Sequence, residues 1–302
     1  MKVHNKHLFL LFGIALFVSE NVLGQRLIAR QDILKGTISI YSEGTDTPLV
    51  VHNAKKGVRP YIHPINAPDG KGVLTEYKPH HHQHQTGLYW GFTVLNSRDY
   101  FRNLGESHWR YIAAKVIEPS ATKVVWQITY HLLDDYGSPI LEETQIWSMS
   151  RLNKRYILDL EWRGKALTAI TVGEYYAGGL FLRMPWWPDV KGEVVNSSGQ
   201  RNQEAEAQRA VWTDVGIQVP GRDDLAHIVM FDHPSNSDFP LPWRVDGELG
   251  VGPCRAILGD WKIEKNDTEV VRHRLMIYTG TLNKVTLWEE WNAYIKEMPS
   301  VK

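Results

Sequence analysis

The chain has 302 residues, of which 43% are hydrophobic and 11% aromatic, and its 34 basic side chains match its 34 acidic ones with no basic block. That balance argues against nucleic acid as a partner, because binding phosphates needs a concentrated positive surface. A single cysteine, Cys254, excludes an internal disulfide, so packing alone must stabilise the core.

Residues 1–24 read as a secretory signal. Lys2 and Lys6 precede the apolar run Leu8 to Val18, and Val22-Leu23-Gly24 offers a small-residue cleavage site before Gln25. The expectation is a periplasmic or secreted protein made of one domain, 25–302. No cysteine follows the apolar run to carry a lipid anchor, and no later stretch approaches the roughly 18 apolar residues of a membrane span.

Next comes Arg59-Pro60-Tyr61-Ile62-His63-Pro64, where a rigid, proline-bounded backbone would project Arg59 and His63 towards a cleft. Four of the thirteen histidines then crowd into positions 80–84, ahead of Thr86-Gly87 and the aromatic run Leu88-Tyr89-Trp90-Gly91-Phe92. In an extended strand His80, His82 and His84 would share one face. Imidazole titrates near neutrality and serves as acid, base or metal ligand, so the cluster looks like a site. An exposed His-rich loop, or one core histidine with solvated neighbours, is the plainer alternative. Arg98-Asp99-Tyr100-Phe101 follows at a turn, where Arg98 and Asp99 are either site residues or an exposed pair.

Val124 to His131, Ile140 to Met149 and Tyr156 to Trp162 alternate apolar and polar positions across short turns, the pattern of an antiparallel meander. Further strands are expected at Leu167 to Val172, Gly179 to Met184, Ala226 to Asp232, Val270 to Tyr278 and around Cys254 to Leu258. Helical spacing appears only at Leu282 to Tyr294, through Val285, Leu287, Trp288 and Trp291. Strand pairs without interposed helices predict an all-β fold: a large antiparallel β-sandwich with one short C-terminal helix.

Between these elements, Glu174 precedes Gly178-Gly179, where backbone can approach a ligand closely. Arg183 stands beside Trp186-Trp187, suited to gripping a carboxylate or vicinal hydroxyls. His233 follows an apolar strand and leads to Trp243. The twelve tryptophans serve either as core or as faces on which sugars stack, Trp90, Trp109, Trp186 and Trp243 among them. Zinc motifs, phosphate-binding glycine loops and the serine-hydrolase elbow are absent.

Taken together, Arg59-Pro60-Tyr61 with His63-Pro64, His84-Gln85-Thr86-Gly87-Leu88-Tyr89-Trp90-Gly91, Arg98-Asp99-Tyr100-Phe101, and Gly178-Gly179-Leu180 with Arg183-Met184-Pro185 resemble the PmoA-like family of secreted bacterial proteins. The resemblance covers nearly the whole mature chain. The methane-oxygenase label attached to that family would require several spanning helices, which this chain lacks. The resemblance implies instead a role in polysaccharide degradation and a galactose-mutarotase-like supersandwich. On that reading His82 or His84 is the acid and Glu174 the base. Arg59, His63, Arg98, Asp99, Arg183 and His233 orient a sugar or oligosaccharide, and Trp186 or Trp243 stacks on it. The implied activity is an epimerase, mutarotase, lyase or hydrolase without a cofactor. The alternatives are a non-catalytic carbohydrate-binding protein and a metal-dependent enzyme with His82 and His84 as ligands.

Overall fold

The computed structural model describes residues 26–152 and 154–297, so the expected signal segment lies outside the described residues. The strands form two eight-stranded sheets and a two-stranded pair, with antiparallel pairing throughout both large sheets. The expected all-β sandwich with a short C-terminal helix is the observed architecture. In the first sheet the order is Leu27–Asp32, Thr37–Ser42, Val50–Asn53, Tyr61–Ile65, Leu88–Gly91, Gly179–Arg183, Gly250–Pro253 and Trp243–Val245. In the second it is Gly192–Asn196, Trp212–Ile217, Ala226–Asp232, Thr268–Thr279, Arg155–Ala166, Pro139–Leu152, Lys123–Leu133 and Trp109–Pro119. Among the described residues no helix is long and apolar enough to cross a membrane.

Alternation builds the core. Along Lys123–Leu133, Val124, Trp126, Ile128, Tyr130 and Leu132 are all fully buried, every second residue of one strand. Trp126 stands opposite Trp147 on the neighbouring strand, the rings 6.4 Å apart and nearly parallel. Across the sandwich, Trp90 of the first sheet stacks on Trp162 of the second at 4.5 Å. Most tryptophans singled out in the sequence are therefore core. Trp243, a candidate for stacking on a sugar, is wholly buried and donates its indole N–H to the Ala210 carbonyl at 2.8 Å.

Two expected strands differ. Only Ile170–Val172 of the first is extended, paired with Trp261–Ile263. The second is displaced: Gly250–Pro253 is the strand, with Pro253 paired opposite Trp243, and Arg255–Leu258 is a 3-10 turn. The helix spans Lys284–Tyr294, capped by the Asn283 side chain, which accepts from the Val285 and Thr286 N–H groups. It lays Leu287 and Tyr294 against Trp212, Val229, Phe231 and Met276 on the second sheet, and leaves Val285 exposed.

Burial holds two core histidines, His52 and His273, neutral, each pushed down to about 3. The His52 Nδ1 accepts from the Trp126 indole at 2.9 Å. The unfolded chain protonates His52 near pH 6.5, so its neutral burial stabilises the fold fully above that pH and less as pH falls towards 3. His52→Gln keeps an acceptor for Trp126 but does not titrate. Its stability deficit against wild type is expected to shrink by about 2 kcal/mol between pH 7 and pH 5 in urea unfolding. A deficit that does not change with pH would contradict this assignment.

Candidate functional site

In the strand Gly179–Arg183, Leu180 and Leu182 enter the core between the sheets, whereas Phe181 belongs to a separate cluster with Tyr61, Tyr89 and Phe101. Side chains alternate across a strand, so this second cluster marks the face of the first sheet turned away from the second sheet. Against it lies a cleft of about 170 Å³. Phe101, Phe181 and Ala177 supply its apolar wall, and His82, His84, Gln85, Arg102, Tyr176, Arg244 and Asp246 its polar one.

The histidines reach the cleft from a loop rather than from the expected strand. The N–H of His82 donates to the Pro79 carbonyl at 3.0 Å and that of Gln85 to the His82 carbonyl at 3.0 Å, while Lys78 and Gln85 close the loop at 2.7 Å. The chain coils, so His80, His82 and His84 do not share a strand face, and His80 is exposed. At the exit Gly87 has φ +81°, and a Cβ there would lie 2.5 Å from the Ile62 carbonyl oxygen, so only glycine lets the loop enter the strand.

Each imidazole of the loop has a different environment. The Nδ1 atoms of His81 and His82 lie 2.8 Å apart, and each is 3.0 Å from the Glu248 carboxylate. The His84 ring stands 5.7 Å from that of His82 and 6.0 Å from Phe101, and among the described residues it has no hydrogen-bond partner. Its backbone is fixed by Arg59, which donates to the His84 carbonyl at 2.8 Å, to the Thr86 hydroxyl at 3.1 Å and to the Phe101 carbonyl. Burial, followed by the charge of Arg59, holds His84 neutral, down to about 4. Burial and then Arg183 lower His82 as well, against the pull of Glu248.

Arg59 is itself buried beneath the Tyr89 ring at 3.6 Å, and burial brings it down to about 10, so it stays charged at neutral pH. It is a strut that holds the loop, and does not reach a solute.

Arg183 is also a strut. Fully buried, it meets Asp246 through both terminal nitrogens, at 3.3 and 2.5 Å, and donates to Gln85 and to the Glu248 carbonyl. Asp246 also accepts from the backbone N–H groups of Glu248 at 2.9 Å and Gly250 at 2.7 Å. A Cβ at Gly250 would sit 2.3 Å from Asp246 and 2.4 Å from Arg183, so the pair needs glycine there. The exposed rim holds two further guanidiniums. Arg102 pairs with Asp99 at 3.0 Å and donates to the Tyr175 hydroxyl at 2.5 Å, and Arg244 pairs with Glu206 at 2.5 Å beside the Tyr176 ring.

The sequence candidates thus separate. His82 and His84 line the cleft, Arg59 and Arg183 support it from beneath, and Asp99 orients Arg102. Trp186 stands edge to face with His81 at 5.6 Å, outside the cleft lining. The other candidates lie elsewhere. Glu174 is exposed and is no part of the lining; its backbone N–H bonds the Asp260 carboxylate at 2.5 Å and that of Tyr175 the Ala256 carbonyl at 3.0 Å. The carboxylates that do face the histidines are Asp246 and Glu248. His63 stacks on Tyr77 and bonds Thr75. Arg98 ties Leu133, His108 and Asp135 together, and His233 packs on Tyr294 beneath the helix. The expected metal pair also changes, because His82 is joined to His81 and His84 stands apart.

Sequence reasoning missed Gln85, Arg102, Tyr176, Phe181, Arg244, Asp246 and Glu248 as site residues. One readable signal was Asp246-Gly247-Glu248-Leu249-Gly250, an acidic turn between strands with two glycines. Another was Arg102, immediately after the Arg98 to Phe101 motif.

Residues 42–292 match the profile of DUF6807, a family of unknown function; the PmoA-like resemblance itself gains no support from that match. No curated protein matches. Among solved structures, the chain is similar to the GH36 α-galactosidase AgaB from Geobacillus stearothermophilus at 8% identity and TM-score 0.42, covering 83% of this chain and 41% of that one. A second GH36 α-galactosidase from the same organism, solved with raffinose, has 9% identity and TM-score 0.43 over 85% of this chain and 41% of its own. A TPR-domain containing protein from Parabacteroides distasonis has 9% identity and TM-score 0.39 over 92% of this chain and 50% of its own. The chain therefore spans half or less of the length of these structures.

Proposed function

The chain belongs to the DUF6807 family, and we propose that it is an exported carbohydrate-active enzyme whose cleft holds one sugar unit and whose His84 exchanges a proton with it. The observation that carries this reading is the His84 imidazole, fixed through its backbone by Arg59, free of protein hydrogen bonds among the described residues, and set in a cleft with one apolar and one polar wall. The cleft is small, about 170 Å³, and on this reading it holds a single sugar unit rather than an extended chain. Phe101 and Phe181 offer apolar surface to ring C–H groups. Arg102, Tyr176 and Arg244 offer hydrogen bonds to hydroxyls or to the carboxylate of an oxidised sugar.

The lining favours proton transfer at a ring carbon or anomeric oxygen over glycoside hydrolysis by paired carboxylates. That chemistry uses two carboxyl groups across the scissile bond, whereas among the described lining residues the one carboxylate, Asp246, is clamped by Arg183. Export is proposed from Lys2, Lys6 and the apolar run Leu8 to Val18.

Proton NMR of neutral sugars, uronic acids and keto-sugars with the protein in D2O tests the proposal. The expected result is accelerated anomer exchange, epimer formation, or deuterium uptake at a ring carbon in one sugar class. Binding without conversion would leave a carbohydrate-binding protein, and neither binding nor conversion would overturn the proposal.

A further inference from the structure

We infer that His81, His82 and Glu248 form a binding site for a divalent transition-metal ion in facial octahedral geometry, at the edge of the cleft. The three donor atoms are mutual neighbours: Nδ1 to Nδ1 at 2.8 Å, and each Nδ1 to one Glu248 oxygen at 3.0 Å. The ring centres of His81 and His82 lie 5.0 Å apart, so the two nitrogens are turned towards one another. In a metal-free protein such a triangle is poorly satisfied. Hydrogen bonds fill two of its edges, and the third sets donor against donor or lone pair against lone pair. One cation on the axis of the triangle uses all three lone pairs together.

The spacing also fits one coordination geometry. With metal–ligand bonds of about 2.1 Å, adjacent ligands are about 3.0 Å apart in an octahedron and about 3.4 Å apart in a tetrahedron. The observed 2.8–3.0 Å matches the octahedral edge. Two histidines and one carboxylate on one face leave the opposite positions open for water or substrate oxygen, and the set suits iron(II), manganese, cobalt or nickel. His82 also lines the cleft, so the open face lies beside the proposed sugar position. The site is mechanically supported: Trp186 fixes the His81 ring edge to face, and the Arg183–Asp246 pair holds the turn that carries Glu248. Because Arg183 is matched by Asp246, the ligands do not face an unpaired cation.

Cobalt(II) is the probe, added to untagged, chelator-treated full-length protein without sugar. The expected result is one equivalent bound with the weak visible absorption of octahedral cobalt. Glu248→Gln and His81→Ala should each weaken binding by at least about 10–100-fold, with circular dichroism unchanged, while the exposed-residue control His80→Ala binds as wild type. No stoichiometric binding, binding unaffected by Glu248→Gln, or the intense absorption of tetrahedral cobalt would overturn the inference. The readout involves no sugar, so failure here leaves the proposed carbohydrate role standing, and failure of that role leaves the metal site standing.

Discussion

Asp246→Ala is expected to destabilise the protein by about 3–5 kcal/mol in urea unfolding, because it strands the Arg183 charge in the interior. Arg183 has no exposed surface and its partner is only 10% exposed, so water cannot take over the lost interaction. The same carboxylate accepts the N–H groups of Glu248 and Gly250, and losing it also loosens the turn that presents Glu248 to the histidines. Removing both charges together, as Arg183→Met with Asp246→Leu, should recover only the part of the loss due to the stranded charge, because the Glu248 and Gly250 N–H groups still lose their acceptor. A cost below about 1 kcal/mol for the single variant would show that the pair does not stabilise the site as argued.

The second large effect falls on function alone. His84→Ala should lower turnover of the sugar identified by NMR by about 10²–10⁴-fold, the usual contribution of one acid–base group. The fold should hold with a loss of only about 1 kcal/mol, because the His84 ring is half-buried but makes no hydrogen bond to a described residue. Steady-state kinetics beside a melting curve separates the two. Undiminished turnover in a folded variant would remove His84 from the chemistry.

Much of the fold was legible because sandwich strands print their burial at period two, as at Val124, Trp126, Ile128, Tyr130 and Leu132. The displaced strand near Cys254 shows the limit, since a short apolar stretch reads alike as strand or turn, and the partner that fixes it, Trp243–Val245, is not visible in the local pattern. The site was legible in half. The histidines stood out by density, but their spacing suggested a strand, whereas backbone bonds from Pro79 to Gln85 coil the segment and regroup His81 with His82. Arg59 and Arg183 were read as substrate-binding groups, yet both are buried and hold the loop and the turn behind the cleft. Glu174 was chosen by its neighbouring glycines, but it is exposed and no part of the cleft lining, a placement that no local pattern shows. Asp246 and Glu248 lie more than 160 positions from the histidines, and no local pattern joins such segments.

The measurement that tests the central claim most directly is calorimetric titration of the protein with the sugar selected by NMR, in wild type and in His84→Ala, Arg102→Ala and Glu174→Ala. The cleft assignment predicts saturable one-to-one binding that weakens markedly in the first two variants and persists in the third. Binding that survives both cleft substitutions, or that is lost only with Glu174, would place the sugar elsewhere and contradict it.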